Sequence, residues 1–119
     1  MQTLDSFLEN TIISGKCGNA YVTEQGWESL YIRVTQRYIN GCIVKPVIDL
    51  AKIEASEPGG GAFTKLVKKL RVKYPEAWIY VESVLNKRFE GKLVNLGFKQ
   101  QNYGDLSVNF YLSPDMDFS

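Results

Sequence analysis

The stretch SEPGGGAFTKLVKKL, residues 56 to 70, places three adjacent glycines directly before a segment with helical periodicity. Each glycine adds backbone entropy that folding has to remove, so three together are costly unless the bare main chain serves a purpose. Apolar residues then recur at intervals of three and four, at Phe63, Leu66, Val67 and Leu70. This spacing predicts an amphipathic helix, and the glycines therefore lead into its N-terminus.

A helix N-terminus that follows glycines is well suited to binding an anion. The amides of the first turn have no partners within the helix, and the helix dipole adds about half a positive charge at that end. Because glycine has no Cβ, a phosphate can approach the main chain closely and accept several N–H bonds. The alternative is a flexible turn between strand and helix that binds nothing.

Two well-known phosphate motifs do not fit this stretch. No Gly-Lys-Ser/Thr sequence is present, and Thr64 stands where the dinucleotide fingerprint requires a glycine. The glycines therefore predict a diphosphate site of another type.

The elements around the glycines predict a parallel crossover. Residues 47 to 55 read as a strand, and residues 77 to 85 form a nearly continuous apolar run after Pro75 ends the helix. A strand, a helix and a second strand in this order are typical of parallel pairing. Residues 87 to 96 predict a further helix, with Gly97 at the position of a C-cap.

The rest of the chain predicts antiparallel structure and one more helix. Helical spacing covers residues 3 to 13, and residues 28 to 39 alternate between apolar and polar side chains. Asn40-Gly41 is the strongest two-residue hairpin signal, and Pro46 on the return strand predicts a bend or bulge. Gly104-Asp105 separates a final pair of strands.

The fold class predicted from these elements is a single α/β domain over residues 1 to 119, with a mixed antiparallel and parallel sheet flanked by helices.

Composition excludes several kinds of chemistry. The chain has 119 residues, a formal net charge of +1 and no histidine, so Ser-His-Asp catalysis and most zinc sites are excluded, and we expect no metal. The balanced charge makes a nucleic-acid partner unlikely, and no apolar run is long enough to span a bilayer. The N-terminus lacks the pattern of a signal peptide, and Cys17 and Cys42 read as free thiols. We therefore expect a cytoplasmic protein that uses carboxylates, tyrosines, lysines or backbone amides.

Residues 47 to 98 resemble the coenzyme A-binding half of the GNAT superfamily of N-acetyltransferases. One family signature, Asn-x-x-Ala-x-x-x-Tyr-x-x-x-Gly-Phe, is matched in spacing by Asn86 and by Gly97-Phe98. The other, R/Q-x-x-G-x-G/A before a helix, fits in two frames. One frame uses Pro58, Gly61 and Phe63, the other uses Glu57, Gly60 and Ala62, and both lack the R/Q residue.

The resemblance implies transfer of an acetyl group from acetyl-CoA to a primary amine of a small molecule or a protein. It places the coenzyme diphosphate on the amides of residues 59 to 64 and the pantetheine arm between strands at residues 48 to 55 and 78 to 84. The implied cofactor-binding residues are Ile53, Ala55, Gly59, Gly60, Gly61, Ala62, Phe63, Thr64 and Asn86.

The chain departs from the family pattern in two further ways. Leu93 stands where the family has the Tyr that protonates the leaving thiolate, and Phe89 replaces the Ala. The N-terminal half has room for about one helix where the family has two, so the acceptor is not implied. The alternative is therefore a catalytically silent GNAT-like module that binds a partner protein.

Two carboxylates are candidates for the general base that deprotonates the amine. Glu54 lies at the end of the strand that enters the glycines, and Glu82 lies on the next strand. The alternative for each is a solvent-facing carboxylate, and the alternative for Asn86 is a helix N-cap. Substitutes for the missing acid are Tyr80, Tyr103 and Tyr111, and candidates to reach the 3′-phosphate are Lys65, Lys68, Lys69 and Arg71.

Overall fold

The computed structural model describes residues 1–57, 59–82, 87–103 and 107–114. Its elements follow the order β1 (Gln2–Thr3), α1 (Leu4–Ile12), β2 (Gly18–Thr23), β3 (Trp27–Ile39), β4 (Cys42–Ala55), α2 (Ala62–Lys73), β5 (Trp78–Val81), α3 (Lys87–Asn95), β6 (Lys99–Tyr103) and β7 (Ser107–Leu112). Across the described residues, the strands form one seven-stranded sheet in the order β1-β2-β3-β4-β5-β7-β6. The predicted class, an α/β domain with a mixed sheet, is confirmed.

The parallel crossover predicted around the glycines is present. β4 pairs with β5 in parallel, from Val47 opposite Trp78 to Leu50 opposite Val81, and α2 connects the two strands. Beyond that last pair, β4 continues to Ala55 while β5 ends at Val81. Among the described residues, parallel pairing with β5 therefore covers only Val47 to Leu50 of β4.

The long hairpin of β3 and β4 has the predicted turn and the predicted bulge. Ile39 pairs with Cys42 across the turn, in which Asn40 and Gly41 both have positive φ angles. The register shifts in the stretch of β4 that contains Pro46, so this strand carries an extra residue there. β4 nevertheless runs without a break from Cys42, which makes it longer than the strand predicted over residues 47 to 55.

The main core lies between the three helices and one face of the sheet. Strand residues at alternate positions supply the sheet side of this core: Leu30, Ile32, Val34, Ile48, Leu50, Ile79, Val81, Phe110 and Leu112. The helices supply Leu4, Phe7, Leu8, Phe63, Leu66, Val67, Leu70 and Leu93. The predicted apolar stripe of α2 is thus the buried face of that helix.

The tip of the long hairpin contacts the last strands of the sheet. Asn40 Nδ2 donates to the Tyr111 hydroxyl at 2.7 Å, and Gln101 Nε2 donates to the Tyr38 carbonyl at 3.1 Å. A second, smaller apolar cluster consists of Ile39, Val47, Tyr80 and Tyr111. We call the sheet surface that carries this cluster the helix-free face, because no described helix contributes a residue to the cluster.

Local sequence sets the ends of the helices. The Thr3 side chain caps α1 by accepting from the Ser6 amide at 3.1 Å. Gly97 follows α3 with a φ of 103°, and the Phe98 amide returns to the Leu93 carbonyl at 3.0 Å, which confirms the predicted C-cap. None of the described helices has the length and apolar character needed to cross a membrane.

β2 was not predicted from the sequence. Its residues GNAYVT begin with glycine and asparagine and bury only Val22 fully, so the strand carries little pattern of its own. Antiparallel pairing holds it, from Gly18 opposite Val34 to Tyr21 opposite Tyr31. The strand is therefore a product of tertiary pairing, which a local pattern does not reveal.

Candidate functional site

A cavity of about 600 Å³ lies where β4, the glycine turn, α2 and α3 meet. β4 contributes its last three residues, Ile53, Glu54 and Ala55. The turn and the first residues of α2 contribute Glu57, Gly59, Gly61, Ala62 and Phe63, and the opposite wall contains Trp27, Arg88, Phe89 and Lys92. We call this space the turn cavity.

The conformation of the turn explains all three glycines. Gly59 and Gly61 have φ angles of 86° and 84°, in the left-handed region that side chains rarely adopt. A Cβ on Gly60 would lie 3.0 Å from the Glu57 carbonyl oxygen, and the Gly60 amide donates to that same oxygen at 2.9 Å. Backbone geometry therefore favours glycine at each position.

The turn leaves the start of α2 open. Gly61 is the N-cap residue and has no side chain with which to cap the helix, and no acidic residue lies in the first turn. No heavy atom of the described residues lies within 4 Å of where a Cβ of Gly59 or Gly61 would be. The first-turn amides therefore start beside the turn cavity with positive helix-dipole potential and no side-chain acceptor at the cap.

α3 provides an aromatic and cationic wall. The Phe89 ring meets the Phe63 ring edge-on, with centroids 4.9 Å apart and planes at 86°. Arg88 and Lys92 line the cavity from the same helix. These residues were not predicted as site residues, although their spacing at i and i+4 on a predicted helix places them on one face.

The turn cavity also contains carboxylates. Glu54 and Glu57 are both exposed and line the cavity together with the two basic residues of α3. The cavity therefore offers both signs of charge at its opening, and Glu54 is the predicted base that lies in it.

A second cavity of about 550 Å³ lies on the other side of the turn and shares Trp27, Glu57 and Ala62 with the first. Lys69 lines it, with Nζ 2.8 Å from Glu24 Oε2 and 3.1 Å from Asp5 Oδ1. Partial burial lowers the pKa of Lys69, but hydrogen bonds to Glu24 and Asp5 outweigh it and raise that pKa above its usual value. Lys69 therefore links α2 to α1 and to the segment before β3 through these ion pairs.

The four basic residues predicted to reach a 3′-phosphate differ in their contacts and in their exposure to solvent. Arg71 donates to the Ala77 carbonyl at 3.2 Å and also to the Ser113 carbonyl, so it ties α2 to the sheet. Lys65 lines the second cavity, and Lys68 is exposed on the outer face of α2. None of the four predicted cations lines the turn cavity.

The structure brings most of the predicted cofactor-binding residues together. Six line the turn cavity: Ile53, Ala55, Gly59, Gly61, Ala62 and Phe63. Gly60 lines the second cavity, and Thr64 lies outside both. Asn86 lies outside the described residues.

Glu82 belongs to a different group of side chains, on the helix-free face. Arg37 Nη2 contacts Asp49 Oδ2 at 2.6 Å and Glu82 Oε1 at 2.5 Å. Arg33 Nη1 approaches Glu82 Oε2 at 3.8 Å, and the Arg37 guanidinium lies 4.1 Å from the centre of the Tyr80 ring. We call Arg37, Asp49 and Glu82 the charge cluster.

Burial dominates the electrostatics of the charge cluster. Desolvation raises the pKa of Asp49 to about 7, although the Arg37 guanidinium opposes this shift, and the nearby Glu82 adds to it. Burial lowers the pKa of Arg37, but the Asp49 carboxylate outweighs this effect and raises it. Sequence spacing did not point to this cluster, because its members come from β3, from β4 and from the residue directly after β5.

The tyrosines proposed as substitute acids are placed away from the turn cavity. Leu93, at the position of the family Tyr, is fully buried in the main core. Tyr80 and Tyr111 lie in the apolar cluster of the helix-free face, and the Tyr111 hydroxyl accepts from Asn40. The side chain of Tyr103 lies outside the described residues.

Comparison of the chain with known protein families, with curated proteins and with solved structures finds no match. Any assignment of function must therefore come from the geometry of the chain's own residues.

Proposed function

We propose that the protein is an acyl-CoA-dependent N-acyltransferase that moves an acetyl group from acetyl-CoA to a primary amine of a small molecule or a protein. One observation carries the proposal. The turn cavity joins an uncapped helix N-terminus, a bare glycine turn and the end of β4, which lies beyond the described parallel pairs with β5.

The contents of the turn cavity suit a phosphorylated carrier. Its volume of about 600 Å³ falls within the range of small-molecule sites, roughly 300 to 1,000 Å³. The amides of residues 62 to 64 would hold the diphosphate, because they begin α2 without a side-chain acceptor at the cap. Arg88 and Lys92 add positive charge from the facing helix.

The described end of the β4–β5 ladder supports the path proposed for the pantetheine arm. Among the described residues, parallel pairing extends to Leu50 and Val81, and β4 continues to Ala55 in antiparallel pairing with β3. The arm would lie along this last part of β4, which leads to the glycine turn. This arrangement also supports the GNAT-like assignment of the fold.

The reaction needs direct attack of the amine on the thioester. The amine nitrogen bonds to the carbonyl carbon, the carbon–sulfur bond breaks, and the ammonium form loses one proton to Glu54 or Glu82. The second nitrogen proton leaves with the thiol. The missing Tyr costs about 10²- to 10⁴-fold, whereas positioning the reactants supplies roughly 7 to 11 kcal/mol, so catalysis can continue with Leu93.

Titration calorimetry with coenzyme A tests the binding step. We expect Lys92→Glu to weaken binding at least tenfold, because it reverses a charge in the turn cavity. Lys16→Glu changes the same charge at an exposed residue that lines neither cavity, and it should leave the affinity unchanged. Absence of coenzyme A binding by the unaltered protein would refute the proposal.

Burial of Leu93 in the main core favours a second candidate, a GNAT-like module that binds a partner protein without turnover. Incubation with radiolabelled acetyl-CoA and a panel of amines and proteins separates the two. Label transfer that Lys92→Glu reduces supports the enzyme. Coenzyme A binding without transfer to any member of the panel supports the module.

A further inference from the structure

The charge cluster holds two carboxyl groups against the cation of Arg37, and the exposed guanidinium of Arg33 lies 3.8 Å from Glu82 at its edge. Arg37 Nη2 touches Asp49 and Glu82 at 2.6 and 2.5 Å, so the two carboxyls meet at a single nitrogen atom. The three ionised groups together would carry a charge of −1 in a site where the Asp49 side chain is fully buried. One added proton would make the cluster neutral, and burial favours the neutral form.

Two polar atoms of the cluster have no hydrogen-bond partner among the described residues. They are Asp49 Oδ1 and Arg37 Nε, both buried. Buried polar atoms are nearly always satisfied in proteins, so each needs an explanation. A proton on the Asp49 carboxyl would let it donate a hydrogen bond to Glu82, which stabilises the protonated form of Asp49.

The cluster lies at the described end of the β4–β5 ladder. Asp49 pairs with Tyr80, and the next pair, Leu50 with Val81, is the last parallel pair among the described residues. Glu82 is the residue after that pair, and its side chain is 22% exposed while that of Asp49 is buried. A group that approaches this side of the sheet would therefore meet Glu82 first, with Asp49 behind it.

We propose that Asp49 and Glu82 act as one proton-accepting pair that takes the proton of the acceptor amine. The catalytic part of this inference rests on the N-acyltransferase proposed above. The ammonium gives one proton to Glu82, and Asp49 is a positioning residue that shares this proton. The other nitrogen proton leaves with the thiol, so the pair gains one proton per turnover and returns it to solvent.

The surroundings agree with this role. The chain has no histidine, so a proton acceptor that works near neutral pH must be built from shifted groups. Facing Asp49 are Arg37 and Arg33 from β3, Tyr80 from β5 and Glu82 directly after β5. The raised pKa of Asp49, about 7, follows from burial and from Glu82.

Carboxyl-carbon NMR of ¹³C-labelled protein tests the pair without any cofactor or acceptor. We expect the Asp49 resonance to titrate near pH 7, and its midpoint to fall in Glu82→Gln because that change removes a neighbouring negative charge. Glu54→Gln is the matched control and should leave the midpoint unchanged. An amide spectrum of each variant confirms that it remains folded.

An Asp49 midpoint in the ordinary range of an aspartate, near pH 4, would overturn the inference and leave a buried water as the partner of the two orphaned atoms. If the Asp49 midpoint is near neutral and does not change in Glu82→Gln, the two carboxyls do not share the proton and that part of the inference is overturned. If Glu82→Gln does not fold, the midpoint of the unaltered protein still decides whether Asp49 titrates near neutrality.

The catalytic part is tested by label transfer from radiolabelled acetyl-CoA to spermidine and polylysine as amine probes. We expect the rate to rise with pH through the Asp49 midpoint, and Glu82→Gln to lower it about 100-fold. The catalytic role would be overturned if the transfer rate did not rise with pH through the Asp49 midpoint, or if Glu82→Gln left the rate unchanged. If neither probe is labelled while NMR shows the expected Asp49 midpoint and its shift in Glu82→Gln, the result counts against the proposed N-acyltransferase function. The proton-sharing pair of Asp49 and Glu82 would still stand.

Discussion

Arg37 is the side chain that balances the charge of the helix-free face. It bridges the carboxyls of Asp49 in β4 and of Glu82 directly after β5, and it lies over the ring of Tyr80, which is itself fully buried. Its side chain is 22% exposed, whereas that of Arg33 is 46% exposed. Desolvated pairs depend on both partners far more than exposed pairs do.

Replacing Arg37 with Met should destabilise the protein by roughly 3 kcal/mol at pH 8, because it leaves two carboxyls without their shared cation. Chemical denaturation measures the loss. Arg33→Met is the matched control and should cost less than about 1 kcal/mol, since its contact with Glu82 is long and exposed. Equal losses in the two variants would contradict this assignment.

Asp49 should make the stability fall as the pH rises. Its pKa in the folded protein is about 7 and its ordinary value is 3.8, so the folded state binds the proton more tightly than the unfolded state. The resulting stabilisation is fully present below about pH 4 and is lost as the pH rises through about 7. Urea unfolding at a series of pH values measures this slope, and the isosteric change Asp49→Asn should remove it.

Asp5 affects the pH dependence of stability in the opposite direction from Asp49, and the two effects should be separable. Burial raises the pKa of Asp5, but hydrogen bonds to Lys69 and Lys73 outweigh it and lower that pKa. Its contribution is therefore lost only as the pH falls below about 4. A slope between pH 5 and 7 that survives in Asp49→Asn would show that another group causes it.

The glycine turn is the element that connects fold and candidate site. It reverses the chain from β4 into α2 by means of left-handed conformations at Gly59 and Gly61 and close backbone contact at Gly60. The same geometry leaves the helix N-terminus without a side-chain cap. The turn is thus explained by backbone sterics, and its openness is what makes a ligand possible there.

A pair of alanine substitutions tests this account of the turn. Gly61→Ala should lower the free energy of unfolding by about 1 kcal/mol, because alanine is strained at a φ of 84°. Gly91→Ala should raise it by about 1 kcal/mol, because Gly91 lies inside α3 with open space around its Cβ position. Thermal or chemical unfolding measures both, and a stabilising effect of Gly61→Ala would refute the strain argument.

At the scale of the whole molecule, the tip of the long hairpin joins the middle of the sheet to its β6 edge. β3 and β4 sit on one side of β5, while β6 and β7 sit on the other. The hairpin tip reaches across, because Asn40 donates to Tyr111 at 2.7 Å and Gln101 donates to the Tyr38 carbonyl at 3.1 Å. This closure lies beside the apolar cluster of the helix-free face, to which Ile39, Tyr80 and Tyr111 belong.

Tyr111→Phe should remove one of these contacts and destabilise the protein by about 1 kcal/mol. Hydrogen exchange should also become faster for the amides of residues 38 to 44 at the hairpin tip. Tyr21→Phe removes the same hydroxyl group from an exposed residue. It should change the free energy of unfolding by less than about 0.5 kcal/mol and leave the exchange rates at the hairpin tip unchanged. Unchanged exchange at the tip in Tyr111→Phe would contradict the proposed closure.

The candidate site was only partly predictable from sequence. The glycine turn and the strand end were found, because turn residues and helix periodicity are local signals. Arg88 and Lys92 were missed, since helix periodicity shows which residues share a face and not which cavity that face borders. The charge cluster was also missed, since its residues are separated by 12 and 45 positions along the chain.

Local chemistry by itself determined the three helices, the Asn40-Gly41 hairpin, the bulge in the stretch around Pro46 and the parallel crossover, because caps, turns and apolar periodicity act over a few residues. Tertiary structure alone decided the strand β2 and the meeting of Arg37 with Asp49 and Glu82. Those features depend on register between distant strands, and that register is set only when the whole sheet and its core assemble.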